Sequence, residues 1–385
     1  MAQYELVILG IPTDSQKDGL IERLLETATD LSLNFPDDVA IRYSHDFADR
    51  DFKASTVALY FGGDPTVDLA IIDTLEEAQV PIVPVVIEGA EVSDSIPASI
   101  RATNACFIAP TDENLDSLMS VALEILGLLR KQRRVFVSYR RTDSREVAVQ
   151  LHDQLSGRGF DVFLDTHDIR PGEPFQEMLW HRLADCDVVI MLDTEGYFDS
   201  KWTKQELGRT QAKGIQILRI VWPNHSSSRH LSLSDTIQLV NADLTSANQL
   251  ADAKIEDVVS RTERLRSRSI ATRHRDLVGK LRLETERIGG TFEGIGAHRT
   301  ITCTFPNGLK IHAYPVVGIP TADLLNDIDD KAKKAKHDGI PCLVYDHMGI
   351  RPAWLAHLNW LAENITAIRS FKIFEAGWEL AEWDS

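Results

Sequence analysis

Cysteine is scarce in this 385-residue chain: Cys106, Cys186, Cys303 and Cys342 lie far apart, with no CxxC pair among them. That spacing excludes a zinc ribbon and a redox dithiol and suits a reducing compartment. Long apolar runs are missing too, since none approaches the roughly 18–20 residues that a spanning helix needs, so no membrane partner is expected. The opening MAQYELVILG has neither a basic segment nor a small-residue cleavage site. No export signal is read there, and a cytoplasmic location is expected. His298, His312, His347 and His357 lack metal-ligand spacing, and no metal site is expected. Basic charge is what the first third lacks. Residues 1–130 hold 23 Asp/Glu against 7 Lys/Arg, a net −16 of the whole chain's −17. Such a surface repels phosphate backbones, so nucleic acid is not an expected partner of this part.

What is present is a rhythm of short β-branched runs and amphipathic stretches: YELVILGI, DGLIERLLETATDL, VAIRYS, STVALYFGG, TVDLAIIDTLEEA, VPIVPVVIEG, ACFIAP and LDSLMSVALEILGLL. A βαβα alternation implies a mostly parallel sheet with helices on both faces, and residues 1–130 read as an acidic flavodoxin-like domain. Residues 133–265 repeat the rhythm with RVFVSYR, VAVQLHDQL, GFDVFLD, PFQEMLWHRLA, DVVIML, WTKQELGRTQ and IQILRIVW, giving a second parallel α/β domain.

Residues 260–282 are basic, with Arg261, Arg264, Arg266, Arg268, Arg273 and Arg275 close together. They read as a linker or a solvated helix face and are the one segment where an anionic partner, nucleic acid included, finds matching charge. From 274 to 385 a C-terminal α/β domain is expected. It has a helix to Ile288, a hairpin of RTITCTFP and LKIHAYPVV turning at Asn307-Gly308, a helix over 321–337, the strand CLVYD, a helix over 355–363 and a last strand FKIFEAGW. Gly294-Ile295-Gly296 reads as a loop and Gly62-Gly63-Asp64 as a turn. Trp354, Trp360, Trp378 and Trp383 cluster near the end, as core or as a partner surface.

Three ordered blocks carry chemistry: RRVFVSYRRTDS, then GFDVFLDTHDIRPGEPF, then YFDSKWTKQELGRTQ. Together they resemble the Toll/interleukin-1 receptor (TIR) family, above all its bacterial members. They match its opening strand and following loop, its mobile Pro-Gly loop at Pro171-Gly172, and its S-x-W-x-x-x-E-L helix start at Ser200, Trp202 and Glu206. The resemblance covers about a third of the chain. It implies cleavage of NAD⁺ between nicotinamide and ribose, by hydrolysis or by cyclisation, with Glu206 as the catalytic carboxylate. NAD is then substrate and no cofactor is needed. A fixed anion suits that chemistry, because loss of neutral nicotinamide leaves an oxocarbenium-like ribose.

Trp202 stands four residues before Glu206, on the same helix face, and is a candidate pocket wall. Tyr139, Arg140 and Arg141 follow a strand at its carboxyl end, where open α/β sheets place ligands and where an arginine could meet the dinucleotide phosphates. Asp165 and Arg170, in the Pro-Gly loop, complete the substrate-binding candidates. Asp143 and Asp165 also read as turn or strand-end caps, and Glu206 as a helix-surface residue paired with Arg209 or Lys213. The family further implies a homo-oligomer formed through this domain, an activating ligand or protein partner, and a latent effector role in anti-phage defence. A scaffold without chemistry and an NAD-binding regulator without turnover remain alternatives. An offset of 134 residues pairs VPIVPVVI with GIQILRIV and sets Ile72 opposite Glu206, so the first domain reads as a degenerate TIR-like or related domain without the catalytic residues.

Overall fold

Leu6, Val7, Ile8 and Leu9 are all buried, the pattern of a central parallel strand covered on both faces. The computed structural model describes residues 2–51, 54–110, 115–164, 175–199, 201–225, 234–296 and 299–383, with only the backbone of 175, 199 and 201–206. The chain forms two compact units, 1–131 and 132–385.

The first unit carries β1 (Tyr4–Gly10), β2 (Val39–Tyr43), β3 (Ser55–Phe61), β4 (Ile82–Ile87) and β5 (Cys106–Ile108). They form one parallel sheet in the order β2-β1-β3-β4-β5. Helices α1 (Asp14–Asp30), α2 (Leu69–Glu77) and the single turn α3 (Val92–Ser95) lie between them, and α4 (Asp116–Ile125) follows β5. Thr13 starts α1 with a capping box, its hydroxyl accepting from Gln16 N while the Gln16 side chain accepts from Thr13 N. Arg23 of α1 pairs with the buried Asp116 of α4. Ile72 and Leu75 are the buried residues of α2, and Ile72 has no exposed surface.

The second unit opens with β6 (Arg134–Ser138), β7 (Asp161–Leu164), β8 (Val188–Asp193), β9 (Gln216–Val221) and β10 (Asp235–Gln238). This parallel sheet runs β10-β9-β8-β6-β7. Numbered from its own first strand it has the same 2-1-3-4-5 order as the first sheet, the flavodoxin-like arrangement the βαβ rhythm implied. Its helices are α5 (Arg141–Ser156), α6 (Phe175–Asp185) and α7 (Lys201–Ala212). The third sheet is mixed: β11 (Thr291–Ile295), β12 (Ile301–Thr304) and β13 (Lys310–Val316) are antiparallel neighbours, and β14 (Ile340–Tyr345) and β15 (Arg369–Lys372) add on in parallel. Helices α9 (Ala322–Ala335), α10 (Pro352–Asn364) and α11 (Ala376–Glu382) complete it. The expected hairpin is present, with Gly308 at φ +86 in its turn.

Two local readings are corrected. Residues 294–296 are no plain loop, because Gly294 and Ile295 end strand β11, where the register with β12 shifts at a bulge between Phe292 and Gly294. FKIFEAGW is a strand only to Lys372. A 3-10 turn follows, and α11 then buries Ala376, Gly377 and Leu380.

The basic segment lies inside one 36-residue helix, α8 (Asp252–Arg287), which packs on both sheets of the second unit. Its arginines divide. Arg264, Arg268 and Arg275 are exposed. Arg266 is wholly buried, with Nε 3.3 Å from Asp187 Oδ2, and Arg273 donates to the carbonyls of Cys186 (2.8 Å) and Ala184 (2.9 Å). Glu263, also buried, accepts from Arg133 at 2.8 Å. These groups bind the residues just ahead of β6 and β8, so much of the basic run closes the amino-terminal edge of the sheet instead of facing solvent.

Candidate functional site

At the carboxyl end of β6, strand alternation divides the residues. Val135, Val137 and Tyr139 face the core under α5, and Tyr139 is only 7% exposed. Phe136 and Ser138 face the other way and line a small cavity with Tyr197, Leu207 and Thr210. There the Tyr197 hydroxyl donates to Ser138 Oγ at 2.7 Å. Tyr139, expected to touch substrate, is therefore a core residue in this structure, whereas Arg140, one position on, is exposed.

Arg140 is held from two sides. Its Nη1 donates to Asp143 Oδ2 at 3.1 Å, and Thr194, just beyond β8, donates to the same oxygen at 3.1 Å. Beneath the guanidinium lies Gly196, where any Cβ would collide with Arg140 Nη1 and Cζ. The Thr142 hydroxyl donates to Asp143 Oδ1 at 2.5 Å. That bond, helped by Thr194 and Arg140 and opposed by partial burial, holds the Asp143 carboxyl below the usual carboxylate range. Asp143 thus serves as more than a turn cap, because it joins the β6 and β8 ends under the exposed Arg140 guanidinium. Arg141 is exposed as the first residue of α5.

The β8 end is fixed from below. Asp193 has no exposed surface, and its Oδ2 accepts from Arg219 Nε at 2.7 Å and also from Nη2 of that 2%-exposed arginine. His225 Nε2 stands 3.2 Å from Asp193 Oδ1. A buried charge is retained only when paired and hydrogen-bonded in this way. Thr194, Gly196 and Tyr197 leave this anchor directly. Sequence patterns did not single out Ser138, Asp193, Thr194, Gly196, Tyr197 or Arg219, because the pairings span 26 to 59 positions.

Helix α7 follows the same loop, and Trp202 and Glu206 belong to it. Their side chains, together with Asp165 and Arg170, lie outside the described residues. Of the two cations considered as partners for Glu206, Lys213 bonds Asp346 at 2.9 Å and Arg209 stands over the Trp180 ring at 3.4 Å. Among the described residues no group of His, Cys, Asp and Glu is arranged to hold a metal ion, and no helix is long and apolar enough to cross a membrane.

The family model described as "TIR domain" matches residues 135–258, which run from β6 into α8. This segment is a TIR domain. A protein named "Probable 2' cyclic ADP-D-ribose synthase", from Brachypodium distachyon, is 34% identical to the chain over 74 residues, 19% of this chain and 33% of that protein. A 2' cyclic ADP-D-ribose synthase from Bacteroides thetaiotaomicron is 22% identical over 110 residues, 28% of this chain and 38% of that one. The chain therefore spans little more than a third of the curated relatives it matches. Among solved structures, the transcription regulator CcpA of Lactococcus lactis aligns with 71% of this chain and 92% of its own at 13% identity and a TM-score of 0.17, too low to bear on fold or function. Within the TIR domain, then, the structure brings together Arg140, Asp143, Thr194 and Gly196 at the carboxyl edge of the sheet, with α7 leading away from them.

Proposed function

We propose that the TIR domain cleaves NAD⁺ at the bond between nicotinamide and ribose. The observation that carries this reading is the match of residues 135–258, whose α7 contains Glu206, to the TIR family model, beside relatives named as 2' cyclic ADP-D-ribose synthases. In the proposed step the C1'–N bond breaks and neutral nicotinamide departs with the bonding electrons. The Glu206 carboxylate stabilises the oxocarbenium-like ribose. Water or a hydroxyl of the same molecule then attacks C1' and gives up its proton, or an adenine ring nitrogen attacks with its lone pair and the adenine amino group sheds the balancing proton. Water makes the enzyme a hydrolase, and an internal nucleophile makes it a cyclase. Arg140 meets the pyrophosphate, and Trp202 walls the pocket. NAD⁺ is substrate throughout, and the chemistry calls for no added cofactor.

The finer reading is a latent effector of anti-phage defence, switched on when TIR domains assemble in the cytoplasm. Chromatography of products after incubating the purified chain with NAD⁺ tests the chemistry: nicotinamide with ADP-ribose marks a hydrolase, nicotinamide with a cyclic product a cyclase. Intact NAD⁺ at every protein concentration leaves the scaffold. Assembly is tested by dilution. Activity per chain should fall on dilution, and Arg170→Ala should flatten that dependence. Constant specific activity from a monomer, as judged by light scattering, overturns activation by assembly.

A further inference from the structure

The second unit joins its third sheet to the TIR domain twice. One joint is α8, whose buried ion pairs bind the TIR domain and whose Leu277 and Leu281 pack into the core of the third sheet. The other is made by the two loops at the carboxyl ends of β13 and β14, and it falls on α6 and α7. Lys213, at the end of α7 and 13% exposed, donates to Asp346 Oδ2 at 2.9 Å. Asp185 Oδ1, at the end of α6, accepts from Ile319 N at 2.9 Å. Arg351 Nη1 contacts Met178 Sδ at 3.2 Å, Arg351 N reaches His181 Nδ1 at 3.4 Å, and the His181 ring lies 5.9 Å from that of Trp354. Gly349 rests against Ala184.

This second joint is incompletely satisfied. Trp180 Nε1, His347 Nδ1 and Arg351 Nε are shielded from solvent, with no hydrogen-bond partner among the described residues. All three belong to the segments that meet here. An unmet buried polar group costs more than a hydrogen bond gains, so three of them weaken this contact; the α8 joint carries His274 Nε2 in the same condition, but beside buried charges that are paired. Burial lowers the Lys213 pKa, and Asp346 opposes that effect. The bond therefore holds a charge that would rather be in water.

We infer that the loops 317–321 and 346–351 form a releasable clamp on α6 and α7, with Lys213–Asp346 as its fastener, and that the clamp restrains the TIR site. The inference rests on the NAD⁺-cleaving reading for its catalytic consequence, though not for its physical one. Glu206 stands seven residues, about two helical turns, before Lys213. A restraint on the end of α7 thus acts on the helix that carries the proposed catalytic carboxylate, and release leaves α8 still joining the domains.

The test uses the full chain with Asp346→Asn, Lys213→Met and the double variant. Amide exchange should quicken in 207–213 and 178–185 in each single variant, with α5 and β13 unchanged. The double variant should resemble either single one, because both remove the same bond. Nicotinamide release should rise at least severalfold. Unchanged exchange in both single variants overturns the clamp. Quickened exchange with equal or lower release, in a protein whose wild type does release nicotinamide, overturns restraint. If no version cleaves NAD⁺, the enzymatic reading fails, while the exchange data still decide whether the clamp exists.

Discussion

Two sheets in this chain share one strand order, and their first loops share the triplet Thr-Asp-Ser. In the first unit Thr13 caps α1, and Asp14 is solvent-exposed beside Lys17 at 3.2 Å. In the TIR domain the corresponding Asp143 is shielded, bonded to two threonines and fastened to Arg140. The β1 end is closed upon itself. Gly10 N donates to Asp68 at 2.8 Å, Ser44 donates to the same oxygen at 2.7 Å, and Ile11 N reaches Phe61 O at 2.9 Å. The first sheet thus presents a carboxylate committed to its own backbone and hydroxyl groups, where the second presents a guanidinium. Topology is common to the two, and the chemistry lies in the residues grafted at the strand ends.

The sharpest way to break this comparison is at Glu206 and its counterpart by offset. Glu206→Gln keeps size and removes charge. Nicotinamide release should fall by about 100-fold or more, the scale of losing one group that meets transition-state charge, with an unaltered melting curve. Wild-type release from a folded variant would remove Glu206 from the mechanism. Ile72→Glu buries an unpaired carboxylate and should cost the first unit about 3–5 kcal/mol without creating activity. All seven tryptophans lie beyond residue 131, so tryptophan fluorescence should melt as in wild type while circular dichroism shows an earlier transition. Coincident wild-type melts by both probes would contradict the burial of Ile72.

Much of the fold was legible because parallel sheets write themselves as apolar runs spaced by amphipathic helices, and both such sheets are where the runs predict them. Legibility fails where the period changes or the side chain vanishes. FKIFEAGW passes from period 2 to a helical turn within eight residues, and β11 hides behind Gly294, whose φ of +138 belongs to the bulge. The buried arginines of α8 read as solvated because no pattern announces Asp187 as a partner 79 positions away. The site was half legible. A strand-end arginine is a local signal and Arg140 is exposed there, yet alternation turns Tyr139 inward. The glycine and threonine that seat Arg140 come from a different strand.

Acid should separate the units in a second way. His181 is held down to about 4 by burial, with Arg351, Arg182 and Arg134 adding to it, and burial with Arg299 keeps His274 well below 6.5. Both are neutral in the fold. Between pH 6.5 and about 4 the unfolded chain takes up protons that the folded chain refuses, so stability falls as pH drops through that window and is regained above it. The first unit's one histidine, His45, lies at its surface. The tryptophan-detected melting temperature should therefore drop between pH 7 and 5, and His181→Gln should lessen the drop. An equal pH dependence in that variant would mean that His181 is charged in the fold.

The smallest effect on the fold, and the most telling about the comparison, comes from one substitution made at both strand ends. Gly10 has φ +78, and a Cβ there would collide with the carbonyl of Phe61, which β1–β3 pairing holds in place. Gly10→Ala should cost the first unit about 2 kcal/mol, from the strained φ and the immovable backbone together. The atoms nearest a Cβ at Gly196 all belong to the far end of the Arg140 side chain, which can swing into solvent, so the stability cost of Gly196→Ala should stay within about 0.5 kcal/mol. What it displaces is the exposed Arg140 guanidinium. If Arg140 meets a phosphate of NAD⁺, losing that charge-assisted bond at about 1.5–3 kcal/mol should raise KM roughly tenfold or more and leave kcat nearly unchanged, since the interaction is the same before and during bond cleavage. Arg140→Ala should show the same split, and the double variant should add nothing. A lower kcat at unchanged KM would move Arg140 from binding to catalysis, and unchanged kinetics in both single variants would take the phosphate contact away from it.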